Sequence, residues 1–107
     1  MFVVHQTESF EAWLGALRDL RGRTAIARRI SRMAEGNFGD AEPVGEGVSE
    51  LRVDVGPGYR VYFSVRGQQI VIVLAGGDKS TQQRDIKKAK AMLAALMQSS
   101  QGAKRKE

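Results

Sequence analysis

Two stretches of alternating apolar and polar residues, joined by Gly56-Pro57-Gly58, place the strongest constraint on how this chain can fold. Apolar residues stand at positions 51, 53 and 55 before the turn and at 61, 63 and 65 after it. A period of two is typical of strands with one buried face, and a tight turn between two such strands predicts an antiparallel hairpin. The polar positions Glu50, Arg52, Arg60 and Tyr62 are then expected to share the opposite, open face.

The segments before this hairpin predict one strand and two helices. Residues 2–6 predict a short strand, and Thr7 or Ser9 can cap the helix that follows. A second helix is predicted from about residue 23 to residue 35, after a break at Gly22. The apolar stripe of the first helix consists of Phe10, Trp13, Leu14 and Leu17.

Two glycine-containing segments are predicted to punctuate the chain. Gly36 is expected to be the C-cap of the second helix. Residues 36–47, with four glycines and Pro43, predict a loop before the hairpin. Residues 70–75 do not alternate and predict a central strand covered on both faces, which Gly76-Gly77 is expected to end.

The last part of the chain predicts a helix and a polar end. Residues 80–83, Ser-Thr-Gln-Gln, have the form of a capping box that opens this helix. The resulting order, β-α-α-β-β-β-α, predicts an α+β domain over residues 1–98. Its twisted, mainly antiparallel sheet would carry two helices on one face, and the C-terminal helix would cover only part of the other. A basic, disordered tail is predicted over residues 99–107. The buried stripe of the last helix is expected to be Ile86, Ala89, Leu93 and Leu96.

Composition excludes several kinds of chemistry. The 107 residues include no cysteine, which removes disulfides, thiolate metal sites and cysteine nucleophiles and fits a cytoplasmic protein. The chain has one histidine, His5, so a histidine pair for acid–base catalysis is absent and no metal or other cofactor is expected. No apolar run approaches the length of a membrane span.

The charge is unevenly distributed along the chain. The formal net charge is +5, with six arginines in residues 18–32 and no basic residue in residues 33–50. Such asymmetry favours a polyanionic partner, nucleic acid first. An ordinary solvated surface explains a net charge of this size equally well.

The predicted open face carries the groups that could bind a phosphate. Arg60 follows the turn directly, and its planar guanidinium can donate two hydrogen bonds to one phosphate. Residues 76–79, Gly-Gly-Asp-Lys, form a corner whose backbone N–H groups and Lys79 favour an anion. Tyr59 or Tyr62 could stack on an unpaired base. The alternatives are an exposed cross-strand ion pair, ordinary turn chemistry and a simple connection to a capped helix.

Four stretches together carry a resemblance to a known family. They are "FEAWLGALRD", "ARRISRMAEGNFGD", "VGEGVSELRVDVGPGYRVYF" and "AGGDKSTQQRDIKKA", within about residues 8–90. The chain resembles the RelE/ParE superfamily of bacterial toxins, in particular the HigB-like addiction module killer proteins. The resemblance implies the RelE-like toxin fold and a type II toxin–antitoxin system, whose antitoxin usually carries a helix-turn-helix domain.

The resemblance also implies an activity. RelE-like toxins are metal-independent endoribonucleases that cleave mRNA on the ribosome, by attack of a ribose 2′-OH on the adjacent phosphate. Two other functions stay open: a ParE-like toxin that poisons gyrase without nuclease chemistry, and a domain that only binds nucleic acid or a partner. The toxin is expected to be a monomer, or to form a complex with its antitoxin.

Carried over by position, the resemblance implies candidate site residues. Arg60 matches the clamp on the phosphate, and Arg52 and Lys79 match basic positions on the preceding strand and in the corner. RelE has a lysine where Glu50 stands and a tyrosine roughly where Asp85 falls. The base could therefore be Glu50, Asp78 or Asp85, or the ribosome could supply part of the machinery. The candidate RNA contacts are Tyr59, Tyr62, Asp78, Arg84 and Lys87.

Overall fold

One five-stranded sheet with three helices makes up the fold. The computed structural model describes the backbone of residues 1–105 and the side chains of residues 1–99. The strand order is β1-β5-β4-β3-β2, with β1 parallel to β5 and all other neighbours antiparallel. The predicted α+β class and the mainly antiparallel sheet are confirmed. The elements are β1 (Val3–Gln6), α1 (Glu8–Ala16), α2 (Leu20–Ala34), β2 (Ala41–Gly45), β3 (Val48–Val53), β4 (Tyr59–Arg66), β5 (Ile70–Asp78), a 3₁₀ turn (Lys79–Thr81) and α3 (Gln82–Arg105).

The first core lies between the sheet and the pair α1 and α2. Thr7 is the N-cap of α1, and Phe10 is completely buried beneath it, as the helical spacing predicts. The alternation in the hairpin is confirmed for Leu51, Val53, Val61 and Phe63, whereas Val65 is exposed. The core also contains Ile26, Ile30, Met33, Val71 and Val73.

The second core lies on the other face of the sheet, beneath α3. Val48, Tyr62 and Leu74 are buried there against Ala89 and Leu93 of α3. α3 therefore covers much of the face that was expected to be open. Leu96, predicted in the buried stripe, is 44% exposed.

The C-terminal end of α3 extends into the segment that was predicted to be a tail. The helix runs to Arg105, beyond the boundary predicted at residue 98. Residues 106–107 lie outside the described residues, so a disordered tail stays a prediction. No helix in the described range is long and apolar enough to cross a bilayer.

The loop predicted over residues 36–47 is wrong, because much of it forms β2. This strand pairs with β3, with Ala41 opposite Leu51 and Glu42 opposite Glu50. The turn to β3 contains Gly45, Glu46 and Gly47, all with positive φ. β2 is an edge strand, where Pro43 can sit without breaking a ladder on both sides.

Two predicted breaks are also wrong, because their glycines serve close packing. Gly22 lies inside α2, where a Cβ atom would be 2.5 Å from the ring of Tyr59. Gly76 and Gly77 lie inside β5, where added Cβ atoms would overlap Trp13 on one face and Asp85 on the other. The glycines thus mark points where side chains press onto the backbone.

Candidate functional site

Two arginines face each other at the centre of the candidate site. The register of β3 and β4 puts Arg52 directly opposite Arg60. Like charges in this position repel unless they are balanced. Glu50, 2% exposed, lies between them, with Oε1 3.6 Å from Arg52 Nη1 and Oε2 3.9 Å from Arg60 Nε.

Glu50 is held in place by two further hydrogen bonds. Its Oε2 accepts from Tyr62 Oη at 3.2 Å and from Gln82 Nε2 at 2.7 Å. Burial and the neighbouring Glu50 carboxylate raise the pKa of Tyr62, which keeps its hydroxyl a donor. A carboxylate that is buried in this way is poorly placed to take a proton from a substrate. Sequence reasoning missed Gln82, which shows only as a polar residue at the start of the last helix.

Arg52 is bound to acidic side chains from the β2 segment. Its guanidinium donates to Asp40 Oδ1, from Nη2 at 2.8 Å and Nε at 3.2 Å, and to Glu42. The hydrogen bond from Arg52 holds the pKa of Asp40 below its usual range, and the hydrogen bonds to Asp40 and Glu42 raise the pKa of Arg52. Arg52 lies on the expected face and its side chain is 29% exposed, but a phosphate would have to displace these carboxylates.

Arg60 has donor capacity left. Its side chain is 12% exposed, and its Nε is buried without a hydrogen-bond partner in the described chain. Nη1 reaches only the carbonyl oxygen of Tyr59, at 3.4 Å. An arginine presents five donors, and the described contacts use few of those of Arg60.

The Gly56-Pro57-Gly58 turn fixes where Arg60 lies. Gly58 N–H donates to Val55 O at 3.1 Å, and Gly58 O accepts from Lys79 N–H at 2.9 Å. The first bond closes the turn, and the second fastens it to the segment after β5. A Cβ atom on Gly58 would be 3.8 Å from Cβ of Lys79 and 3.9 Å from Arg60 Nη1. The turn therefore brings Arg60 and Lys79 together, as the sequence predicts.

Both tyrosines are buried, so the expectation that Tyr62 lies on an open face is wrong. Tyr59 is 4% exposed on the opposite side of the sheet, where its hydroxyl donates to Asp19 Oδ2, the N-cap of α2, at 2.7 Å. Burial and this contact raise the pKa of Tyr59 to about 12. Tyr62 is completely buried because α3 covers it. Neither ring can stack on a base in this conformation.

The other candidate residues lie around the 3₁₀ turn and the start of α3. Asp78 accepts from Ser80 Oγ and, at 2.8 Å, from Ser80 N–H, and these bonds lower its pKa. Asp85, 5% exposed, accepts from Thr81 Oγ1 at 2.5 Å. Lys79, Arg84 and Lys87 are exposed. Among the described residues, no group of three potential ligands is arranged to hold a metal ion.

The fold and this arginine-containing face are consistent with the RelE-like class of small toxins. A family model, phage-derived Gp49-like proteins (DUF891), matches residues 12–97, and the chain belongs to this family. This family is a toxin family of the RelE and addiction-module type, so the predicted resemblance is confirmed at that level. The narrower HigB-like branch stays a prediction.

One curated relative shows how far the similarity extends. An uncharacterized protein of Haemophilus influenzae (strain ATCC 51907 / DSM 11121 / KW20 / Rd) is 48% identical over 89 residues. The match covers 83% of this chain and 90% of that protein.

Proposed function

We propose that the protein is the toxin of a type II toxin–antitoxin pair and that it cleaves mRNA on the ribosome. Membership of a RelE-type toxin family supports the first part. One observation carries the second: Arg60 lies near Lys79, and its guanidinium forms no hydrogen bond with a carboxylate of the described residues, since Glu50 Oε2 is 3.9 Å from its Nε. These two cations form the phosphate-binding part of the proposed site.

The proposed reaction is a transesterification that needs no metal. The ribose 2′-oxygen attacks the adjacent phosphorus, its proton leaves, and the bond to the 5′-oxygen breaks to give a 2′,3′-cyclic phosphate and a 5′-hydroxyl. Arg60 would bind the non-bridging oxygens, whose negative charge increases in the transition state. Holding the attacking oxygen in line with the phosphate contributes roughly 7–11 kcal/mol in favourable cases.

The carboxylates of the site are poorly suited to proton transfer. Glu50 and Asp85 are buried and accept hydrogen bonds, and the lowered pKa of Asp78 makes it a weak base. We therefore assign proton transfer to the solvent or to groups of the ribosome. The protein would supply position and positive charge, which is consistent with a substrate already held by the ribosome.

The remaining parts of the proposal concern partner and location. A cognate antitoxin, with a helix-turn-helix domain, would silence the toxin by covering Arg60 and Lys79. The ribosome as target places the activity in the cytoplasm.

A second candidate function is the poisoning of gyrase. It is favoured by the acidic surroundings of Arg52, where two arginines meet the carboxylates of Asp40, Glu42 and Glu50. This mixture of charges makes the face less positive than a surface that contacts many phosphates of an RNA strand. A gyrase poison would need no phosphate clamp.

The test is to induce the wild type and Arg60→Ala in growing bacteria and to map new mRNA 5′ ends within minutes. We expect cuts within translated codons in the wild type and a loss of about 100-fold or more in the variant, the scale of one preorganised donor. Arg66→Ala, at the far end of the same strand, is the matched control and should cleave normally. Growth arrest with intact mRNA and altered DNA supercoiling would point to gyrase instead.

A further inference from the structure

A cleft of about 300 Å³ lies beside the candidate site, between α1 and the start of α3. Its floor is the end of β5, at Gly76 and Gly77, and its walls include Trp13 and Asp85. β1 pairs with β5 only as far as Val73, so this end of β5 has no neighbouring strand on that side among the described residues. The volume is at the small end for ligand pockets and suits one ring system.

The two glycines allow the walls of the cleft to pack directly against the end of β5. A Cβ atom on Gly76 would overlap the Trp13 ring, and one on Gly77 would overlap the Asp85 carboxylate. A larger residue at either position would therefore force the Trp13 ring or the Asp85 carboxylate away from the strand. The glycines thus allow an aromatic side chain and an acid to approach one short segment of backbone from both faces.

Asp85 presents a buried acceptor to the cleft. Its side chain is 8% exposed, and among its oxygens only Oδ2 accepts a described hydrogen bond, from the hydroxyl of Thr81. Oδ1 lies 3.8 Å from Arg84 Nε, beyond hydrogen-bonding distance, and no other described group bonds to it. An ionised carboxylate accepts several hydrogen bonds, so Asp85 can accept more N–H groups from a ligand.

The rim of the cleft is cationic and close to Arg60. Arg84 and Lys88, four residues apart on α3, line the opening, and the Arg84 side chain is 78% exposed. Gly77 of the floor is directly opposite Arg60 on the neighbouring strand. A nucleotide whose base entered the cleft would therefore have cations on both sides for its phosphates.

We propose that this cleft binds a nucleobase with an exocyclic amino group, that is adenine, guanine or cytosine, and discriminates against uracil. The amino N–H groups would donate to Asp85, as carboxylates accept from base amino groups in nucleic-acid complexes. Trp13 would contact the ring, and Arg84 and Lys88 the phosphate. The inference rests on the proposed function only in assigning this base to the mRNA that is cleaved.

The first test uses the wild-type protein alone and needs no ribosome. Trp13 is the only tryptophan of the chain, so its fluorescence reports on the cleft directly. We expect saturable changes with GMP, AMP or CMP at millimolar concentrations, and binding of UMP weaker by about tenfold or more, the scale of one hydrogen bond to a charged group. No response to any nucleotide, an equal response to UMP, or the same response to ribose 5-phosphate would overturn the proposal.

The second test changes the acceptor. Asp85→Asn replaces one oxygen by an amide donor with almost the same shape, so the preference against UMP should disappear or reverse. Asp54→Asn is the matched control, since Asp54 is exposed and far along the chain from the cleft, and it should bind like the wild type. An unchanged preference in Asp85→Asn would contradict the proposal. Binding that follows these rules in a protein that cuts no mRNA would leave the base site intact and overturn only the proposed nuclease function.

Discussion

Arg52 and Arg60 are direct cross-strand neighbours, yet their surroundings differ strongly. Arg52 is bonded to Asp40 and Glu42 and lies near Glu50. Arg60 has Glu50 alone, at 3.9 Å, and keeps a buried Nε without a described partner. Both residues are arginines at paired positions on the same face of the sheet. Their different surroundings therefore come from the elements on either side of them.

The difference comes from the strands on either side. β2 lies next to β3 and brings Glu42 into the sheet, with Asp40 just before it. β5 lies next to β4 and places Gly77, which has no side chain, opposite Arg60. Arg52 is therefore bonded to acids of the edge hairpin, whereas Glu50 is the only acid that the described residues place beside Arg60.

The largest expected effect is the loss of the acid that both arginines share. Glu50→Ala should lower the free energy of unfolding by about 3–5 kcal/mol, as for other broken buried ion pairs. It removes the acceptor of Tyr62 and Gln82 and leaves two cations facing each other. Urea denaturation measures this loss, with Glu46→Ala as the control because Glu46 is exposed and pairs only with Lys90. A loss as small as that of the control would show that Glu50 does not hold the face together.

A smaller effect is expected from the hydroxyl that fixes Glu50. Tyr62→Phe should cost about 1.5–3 kcal/mol of unfolding free energy, the range for a hydrogen bond to a charged group. Ser64→Ala is the matched control on the same strand and face, because the buried Ser64 Oγ has no described partner and its removal should be neutral or stabilising. Equal effects of the two variants in urea denaturation would contradict the bond between Tyr62 and Glu50.

Arg52→Ala should destabilise the protein less than either of the changes above that touch Glu50. The ion pairs of Arg52 with Asp40 and Glu42 lie at the surface, where salt screens them. The loss of unfolding free energy should therefore shrink between low and high ionic strength. A loss that is independent of salt would indicate packing of the arginine stem instead.

The smallest expected effect depends on pH. Arg52 lowers the pKa of Asp40 in the folded protein, whereas an unfolded aspartate has a pKa of about 3.9. The stabilisation is complete above that unfolded value and disappears as the pH falls through the lower, folded pKa. The free energy of unfolding of the wild type should thus exceed that of Asp40→Asn at neutral pH, and the difference should shrink only below about pH 4 when both are measured by urea denaturation across pH. An advantage that begins to disappear near neutral pH would contradict the pairing.

Much of the fold could be predicted, because alternation and helical spacing report burial directly. Leu51, Val53, Val61 and Phe63 are on the predicted face. β2 could not be predicted, because Ala41–Gly45 is a short edge strand with proline and glycine, and its stability comes from pairing with β3 rather than from its own sequence. Local propensity is a weak guide for such a strand.

The candidate site was only partly predictable for the same reason. The shared face of Glu50, Arg52 and Arg60 follows from register, and the structure brings these residues together. The two acids that are hydrogen-bonded to Arg52, Asp40 and Glu42, come from the missed strand and the residue just before it. The burial of Tyr62 depends on how α3 crosses the sheet, which periodicity does not define.

The most direct test compares Arg52→Ala and Arg60→Ala at equal expression, by mapping mRNA 5′ ends and by measuring the unfolding free energy of each purified protein. We predict that Arg60→Ala lowers cleavage by about 100-fold or more and that any loss of its stability depends little on salt, because its pair with Glu50 is buried. Arg52→Ala should lower stability in a salt-dependent way and still cleave. Cleavage that survives in Arg60→Ala and is lost in Arg52→Ala would contradict the assignment of the phosphate clamp to Arg60.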